Sequence, residues 1–430
     1  MQSKVKFIFA DSLDQVDPEY NFINDTHKDG RTPYWDDQFP HEMLGRTPYD
    51  GILVSRATVG SPNIPGYYTE SQSMRFLRVG AREFLRFNKP KDMDKMVFGD
   101  CGAFSYSKQT DPPYTAEDTV EFYGEGQFTH GCSIDHIIFE FDSNSKGMKK
   151  GCGESRRRYD ITLQLASEFF HESKKLDKNF TPVGVVQGWS PDSLAESAKH
   201  LIKIGYRYLA IGGLVPLKID EIHLAVSSVH DAVKRWPSVK LHLLGFAKSN
   251  YLHEFTKYSK IASFDSTSPM IRAFKDGRNN YYLPNGKNRL NYYTAIRIPQ
   301  AIENRKLKDL ARTGLYKQED LLKMEKNALQ YMRLYDKGKV SIEKTIDALI
   351  EYTKPLKWTS TSTEDSLNKT LHNTRLSYIK TLEDMPWKKC KCNICKQAGV
   401  ETIIFRGNNR NKRRGMHNLS VFYQHLKRIS

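Results

Sequence analysis

No apolar run approaches the roughly 18 residues that a membrane-crossing helix needs, so no membrane span is expected. The opening, MQSKVKFIFADSLD, has a short apolar patch that Asp11 interrupts too early for a secretion signal. There is no internal repeat and no low-complexity tract. Cysteine is scarce: Cys101, Cys132 and Cys152 are scattered, and the other three of the six crowd together, which is not the spread of a disulfide scaffold. These absences point to a soluble, cytoplasmic protein. What is present is ample core material, with 39% hydrophobic residues and 22 Phe plus 23 Tyr in 430 positions. That excludes a disordered chain. The length suits two or three ordinary domains, or one large α/β barrel with additions.

The three crowded cysteines, Cys390, Cys392 and Cys395, have C-x-C-x2-C spacing with histidines further on. Thiolates and an imidazole at such intervals can reach one tetrahedral ion, so a structural Zn2+ site is expected. Lys388, Lys389, Lys391 and Lys396 flank the cysteines and favour thiolates. His417 is the first choice for the fourth ligand, with His425 as the fallback. Unliganded thiols are the alternative. The net charge is +16, and residues 386–430 carry eleven Lys or Arg against one acid, Glu401. An acidic partner such as a nucleic-acid backbone follows from that excess; a basic surface kept for solubility is the plainer reading. Phe405, Phe422 and Tyr423 read as core of this module.

Eight β-type runs recur through the first two thirds, at 5–10, 51–55, 96–100, 137–142, 183–188, 208–214, 241–246 and 261–266. Stretches with helical apolar spacing lie between them, such as 73–87, 155–170, 193–204 and 219–233, with Ser190 or Ser193 as an N-cap for the third. Apolar strands alternating with amphipathic helices predict a parallel sheet, and eight units predict a closed (β/α)8 TIM barrel. Residues 267–300 read as a polar loop or hairpin. The expected organisation is a barrel over 1–300, a helical insertion over 301–385, and a basic zinc-binding module over 386–430.

Barrel enzymes keep their reacting groups at the carboxyl ends of the strands. Those ends here are Asp100 (VFGD), Asp142 (FEFD), Gln187 (VVQG), Gly212 and Gly213 (AIGG), Gly245 (LLGF) and Asp265 (SFD). A single Asp there is as readily a helix cap or loop anchor. Three on one rim, each costly to desolvate, point to a site. The glycines would let a flat ligand approach backbone N–H groups.

The ordered strings GDCGAFSY, FEFDSN, GVVQG, LAIGGL and SFDS, then C-x-C-x2-C and HNLSVFYQ, resemble the tRNA-guanine transglycosylase superfamily. The resemblance is collinear over roughly residues 90–270 and 388–426, and it selects His417 as the fourth zinc ligand. It implies base exchange through a covalent glycosyl-enzyme, with Asp265 as nucleophile and Asp100 as general acid/base. Asp142 and Gln187 would bind the edge of the base, with Gly212, the Gly213 N–H and the Leu214 carbonyl beside them and Phe104 near its face. Several positions depart from the superfamily pattern: Cys101 stands for Ser, Ala103 for Gly, and Lys218 for a Glu of bacterial members. The basic stretch after the nucleophile has become TSPMIRAFKDGRN, and the interval from Asp265 to Cys390 is much longer. The opening FADSLDQVDP and the segment PYDGILVS are similar instead to the DNA-modifying DpdA branch, which exchanges guanine for a 7-deazaguanine (preQ0-like) base. DNA is therefore the expected substrate, with a DNA-opening partner protein as a plausible companion. The same chemistry on tRNA, a catalytically inactive nucleic-acid-binding subunit of this fold, and an unrelated barrel aldolase or isomerase are the competing readings.

Overall fold

In the computed structural model, residues 5–429 are described, apart from 12, 62, 63, 247, 249, 250, 276, 287 and 288. Eight parallel strands close into a barrel in sequence order: β1 Lys6–Ala10, β2 Gly51–Ser55, β3 Met96–Asp100, β4 His130–Cys132, β5 Thr181–Val186, β6 Tyr208–Ile211, β7 Lys240–Leu243 and β8 Ile261–Asp265. β1 closes on β8 with Ile8 opposite Asp265. Alternate residues fill the interior, as strand geometry requires: Met96 and Phe98, Val183 and Val185, Tyr208 and Ala210. The (β/α)8 barrel is thus the observed fold.

The intervening helices follow their sequence signals. Pro191–Ile204 begins where the Ser190 hydroxyl accepts the Ser193 N–H at 3.2 Å. It buries Leu194, Ala198, Leu201 and Ile202, and it ends at Gly205, whose φ of 133° few other residues adopt. Ser190 rather than Ser193 is the cap.

One expected strand is not a strand. The run 137–142 is irregular, and the fourth barrel strand is the three-residue segment His130–Cys132. The β-branched and aromatic content of HIIFEF suits a strand by propensity, but HGC has the register, with His130 opposite both Phe98 and Thr181. Gly131 is needed there, because a Cβ would stand 2.4 Å from the Tyr123 ring.

The chain divides into two units, Met1–Leu13 with Tyr49–Ser268, and Asp14–Pro48 with Pro269–Ile429. The first contains the barrel. The second takes in the helical stretch and the cysteine module together, along with residues 14–48 and 269–300, which sequence alone assigns to the barrel. It contains the helices Arg305–Arg312, Gln318–Asp336, Ile342–Lys357 and Glu364–Asp384, the hairpin Tyr281–Asn285 with Arg289–Tyr293, and the long helix Gly407–Ile429.

Much of the basic C-terminal stretch turns inward. Arg406, Arg410, Arg413 and Arg414 are all buried. Arg406 meets Asp25 and Glu325, each at 2.6 Å, and Arg410 pairs with Asp25 and with Glu401, which also receives Arg333 at 2.8 Å. Burial pulls the Arg406 pKa down, but Glu325 and Asp25 outweigh it and raise it. Arg413 donates to the Asp17 carbonyl at 2.8 Å, and Arg414 to the Ala273 carbonyl at 2.7 Å. Burial lowers Arg414 to about 9. A buried guanidinium needs these partners, since stripping one away leaves an uncompensated charge worth about 3–5 kcal/mol. These four cations hold the unit together and are not an open surface for an acidic partner.

Candidate active site and metal centre

The carboxyl ends of the barrel strands surround a cavity of about 100 Å³ lined by Asp100, Asp135, Gln187, Gly212, Gly213 and Asp265, with Phe104 at its rim. Seven of the nine strand-end and base-pocket residues read from sequence, Gly245 among them, therefore meet here.

Asp265 ends β8 and is 7% exposed. Its Oδ1 accepts the Gly245 N–H at 2.7 Å and faces His242 Nε2 at 3.0 Å. His242 is fully buried on β7, stacked on Phe98 at 4.6 Å, with Nδ1 2.6 Å from the Ser263 hydroxyl. Ser263 in turn lies 2.6 Å from the Tyr208 hydroxyl. The tautomer that donates Nε2–H to Asp265 leaves Nδ1 to accept from the Ser263 hydroxyl. The nucleophile candidate is thus fixed from behind by a polar chain running into the barrel core.

Asp100 ends β3 and accepts the Gly102 N–H at 3.1 Å. Burial raises its pKa to about 7, with the Asp135 and Asp265 carboxylates adding to the effect and the Ser55 hydroxyl and Gly102 N–H opposing it. Asp135 is 1% exposed. Burial raises its pKa too, against the pull of its donors: the Cys101 thiol at 3.1 Å and the Gln187 amide at 2.7 Å. Gln187 Oε1 accepts the Ile138 N–H at 3.3 Å, which orients the amide. Gly212 must lack a side chain, because a Cβ would sit 2.5 Å from Gln187 Nε2.

Two expected site residues lie elsewhere. Asp142 is in a turn, its N–H donating to the Trp189 carbonyl at 2.8 Å and its carboxylate accepting the Asn144 N–H at 2.9 Å. The third carboxylate of the cavity is Asp135, seven residues earlier, because β4 ends at Cys132. Leu214 is buried outside the cavity lining, with its carbonyl accepting the Leu217 N–H at 3.3 Å. His242 was missed as well, although a histidine inside the apolar run KLHLL was a usable signal.

The raised pKa of Asp100 has a measurable consequence. Its unfolded carboxyl ionises near 3.8 and its folded one near 7. The proton-bound form therefore contributes stability that is full below about pH 4 and is lost as pH rises through about 7. Asp100→Asn escapes that loss. Melting curves at pH 5 and pH 8 should show the variant gaining on the wild type by about 3 kcal/mol between the two. An equal difference at both values would contradict the assigned environment.

In the second unit, one ligand atom from each of Cys390, Cys392, Cys395 and His417 lies within 4.8 Å of every other. The three sulfurs stand 3.3–3.4 Å from His417 Nδ1. His417 Nε2 donates to the Tyr282 carbonyl at 2.7 Å, which leaves Nδ1 free as a ligand. The Tyr281 ring stacks on the imidazole at 3.9 Å. The donor set fits a tetrahedral metal ion, and His425 is outside the cluster.

A closed parallel barrel with carboxylates converging at its strand ends is the frame of a (β/α)8-barrel enzyme. No protein-family model matches the chain. A protein of Salmonella montevideo described as a DNA-guanine transglycosylase is 39% identical over 427 residues, covering 99% of this chain and 97% of the relative. The chain belongs to the DNA-guanine transglycosylase family, within the transglycosylase superfamily. No helix among the described residues is long and apolar enough to cross a membrane.

Proposed function

We propose that this protein exchanges guanine in DNA for a 7-deazaguanine base, with Asp265 as the covalent nucleophile. The observation that carries the reading is the meeting of Asp265, Asp100, Asp135 and Gln187 around one cavity, in a chain so similar to a DNA-guanine transglycosylase.

An Asp265 oxygen attacks C1′ of the target nucleotide. The C1′–N9 bond breaks, its electron pair leaves with guanine, and a glycosyl ester joins the sugar to Asp265. The Gly245 N–H and His242 hold the attacking carboxylate in place. Asp100, with a pKa near neutrality, gives a proton to the departing guanine and takes one from the entering base. N9 of the entering base then attacks C1′ and releases Asp265. Two displacements retain the configuration at C1′. Asp135 replaces Asp142 as the carboxylate for the N1–H and amino edge of the base, with Gln187 and the Gly213 N–H beside it. Phe104, 55% exposed at the rim, is available to the face of the base.

A zinc ion suits the three cysteines and His417, and with four protein ligands its role is to cross-link the fold. A base in duplex DNA must be unstacked and flipped before C1′ is reachable, a task for which a DNA-opening partner protein is the natural supplier. A cytoplasmic location fits such a substrate. The test offers labelled guanine with DNA or tRNA to the purified enzyme, and identifies the inserted base by nucleoside mass spectrometry. Label entering DNA is the expected result, and label entering only tRNA would overturn the reading.

A further inference from the structure

Arg406, Arg410, Arg413 and Arg414 are neutralised or enclosed within the second unit, yet another set of cations in that unit is left without counter-charges. A cleft of about 590 Å³ is lined by Arg297, Arg305, Lys306, Leu315 and Trp358. A smaller hollow shares Arg297 and Leu356 with it and adds Arg278, Lys357 and the hydroxyl-bearing Ser377 and Tyr378. Among the described residues lining the two, the one acid is Asp309, and it is engaged with Arg312 at 3.2 Å. None of the five cations has an ion pair among the described residues. Burial lowers the Lys306 pKa, with Lys357 and Arg297 adding repulsion; Lys357 is lowered in the same way, with Arg297 and Arg278 repelling it.

The carboxyl end of helix Ile342–Lys357 accounts for part of this arrangement, since helix C-termini favour cations and Lys306 Nζ donates to the Leu356 carbonyl at 2.8 Å. It does not account for Arg297, at the end of the strand Ile296–Arg297, or for Arg278, in the loop before the hairpin. Elsewhere in the same unit, Arg333, Arg406 and Arg410 all meet carboxylates. Five unpaired cations around the cleft and the hollow beside it repel each other unless an anion is brought to them. A chain of phosphates brings several negative charges at once, and an aromatic such as Trp358 offers a face to a base or sugar.

We propose that this cleft and the hollow beside it bind the phosphodiester backbone of the DNA substrate, with Arg297, Lys306 and Lys357 contacting its phosphates. The inference rests on DNA being the substrate. It assigns backbone binding to Arg297 and the helical stretch that follows it, not to the buried C-terminal arginines.

The test measures binding of fluorescent DNA to the full-length protein across a salt series. The variant is R297Q/K306Q/K357Q, with K178Q/K203Q, at two exposed positions, as a control for general loss of positive charge. The triple variant should bind DNA about 10- to 100-fold more weakly at about 100 mM salt, with the log–log salt slope reduced by about 2 to 3. Its KM for DNA should rise while kcat is kept. The single variants R297Q and K357Q, at exposed positions, should each lower the slope by about 1 and serve if the triple variant melts abnormally. Unchanged affinity and slope in the variants would overturn the proposal, as would an equal loss in the control. So would loss of inorganic phosphate binding with DNA binding intact. Wild-type enzyme that binds DNA through this cleft but exchanges no base would instead count against the proposed activity.

Discussion

Asp265→Ala is expected to reduce base exchange about 10,000-fold or more, while DNA affinity stays within about threefold. The prediction is this severe because the carboxylate is the bond-forming group and has no substitute with the same support. Asp100 and Asp135 share the cavity, but neither has the Gly245 N–H and the His242 imidazole aimed at it. Burial also raises both of their pKa values, which diminishes the charged form a nucleophile needs. Water cannot take over, since loss of the base without a covalent holder would leave an abasic site rather than an exchanged one. Two measurements check the outcome: incorporation of labelled guanine, and a protein–DNA adduct that survives denaturing electrophoresis. Wild type should form the adduct and Asp265→Ala should not. Undiminished exchange in the variant would remove Asp265 from its assigned role. His242→Phe serves as an intermediate case, because it takes away one of two donors and leaves the carboxylate. A loss of about 10- to 100-fold is the expected size for one buried hydrogen bond to a charged group.

How much of this was legible in the sequence varied with the kind of signal. Strands β2 and β3 have the bounds that their apolar runs predict, and the helix Ile219–Val233 matches its expected span. In these segments local propensity and burial on both faces agree. Asp100 and Asp265 were readable because each ends an apolar strand. Asp135 was not, because its strand, HGC, carries no β-propensity and is held by register between two better strands. The more strand-like HIIFEFD beyond it passes outside the ladder and took the assignment to Asp142. The charge of the C-terminal stretch was correctly counted, but its disposition depends on acids far away in sequence. Asp25, Glu325 and Glu401 neutralise Arg406 and Arg410, and no local pattern couples residue 25 to residue 410. The cations at 278, 297, 306 and 357 are equally dispersed, so their convergence is a property of tertiary structure alone.

The cysteine cluster was the feature most fully readable from spacing, and its loss should have the largest effect on folding. Cys395→Ser, or exhaustive removal of metal by a chelator, is expected to destabilise the protein by on the order of 5 kcal/mol. That is less than the roughly 10–16 kcal/mol of isolated zinc-finger peptides, because this unit also has a core and buried ion pairs of its own. Elemental analysis of the wild type should find about one zinc per chain, and the variant should have far less. Damage should start at the hairpin beside the cluster. Tyr281 stacks on His417 and contacts Cys395 Sγ at 3.1 Å, and the Tyr282 carbonyl receives His417 Nε2–H. Once His417 is no longer fixed, those contacts lose their anchor. The helix Gly407–Ile429 is gripped there too, by Asn418, which accepts the Tyr282 N–H at 3.0 Å and donates to the Asn280 carbonyl at 3.0 Å. Hydrogen exchange should therefore rise first at residues 280–293 and 407–420, with β1–β8 keeping their protection longer. Metal-free protein with an unchanged melting temperature would show that the four ligands are a cluster without a structural ion. Early exchange in the barrel strands instead would show that the metal supports the whole chain and not one unit.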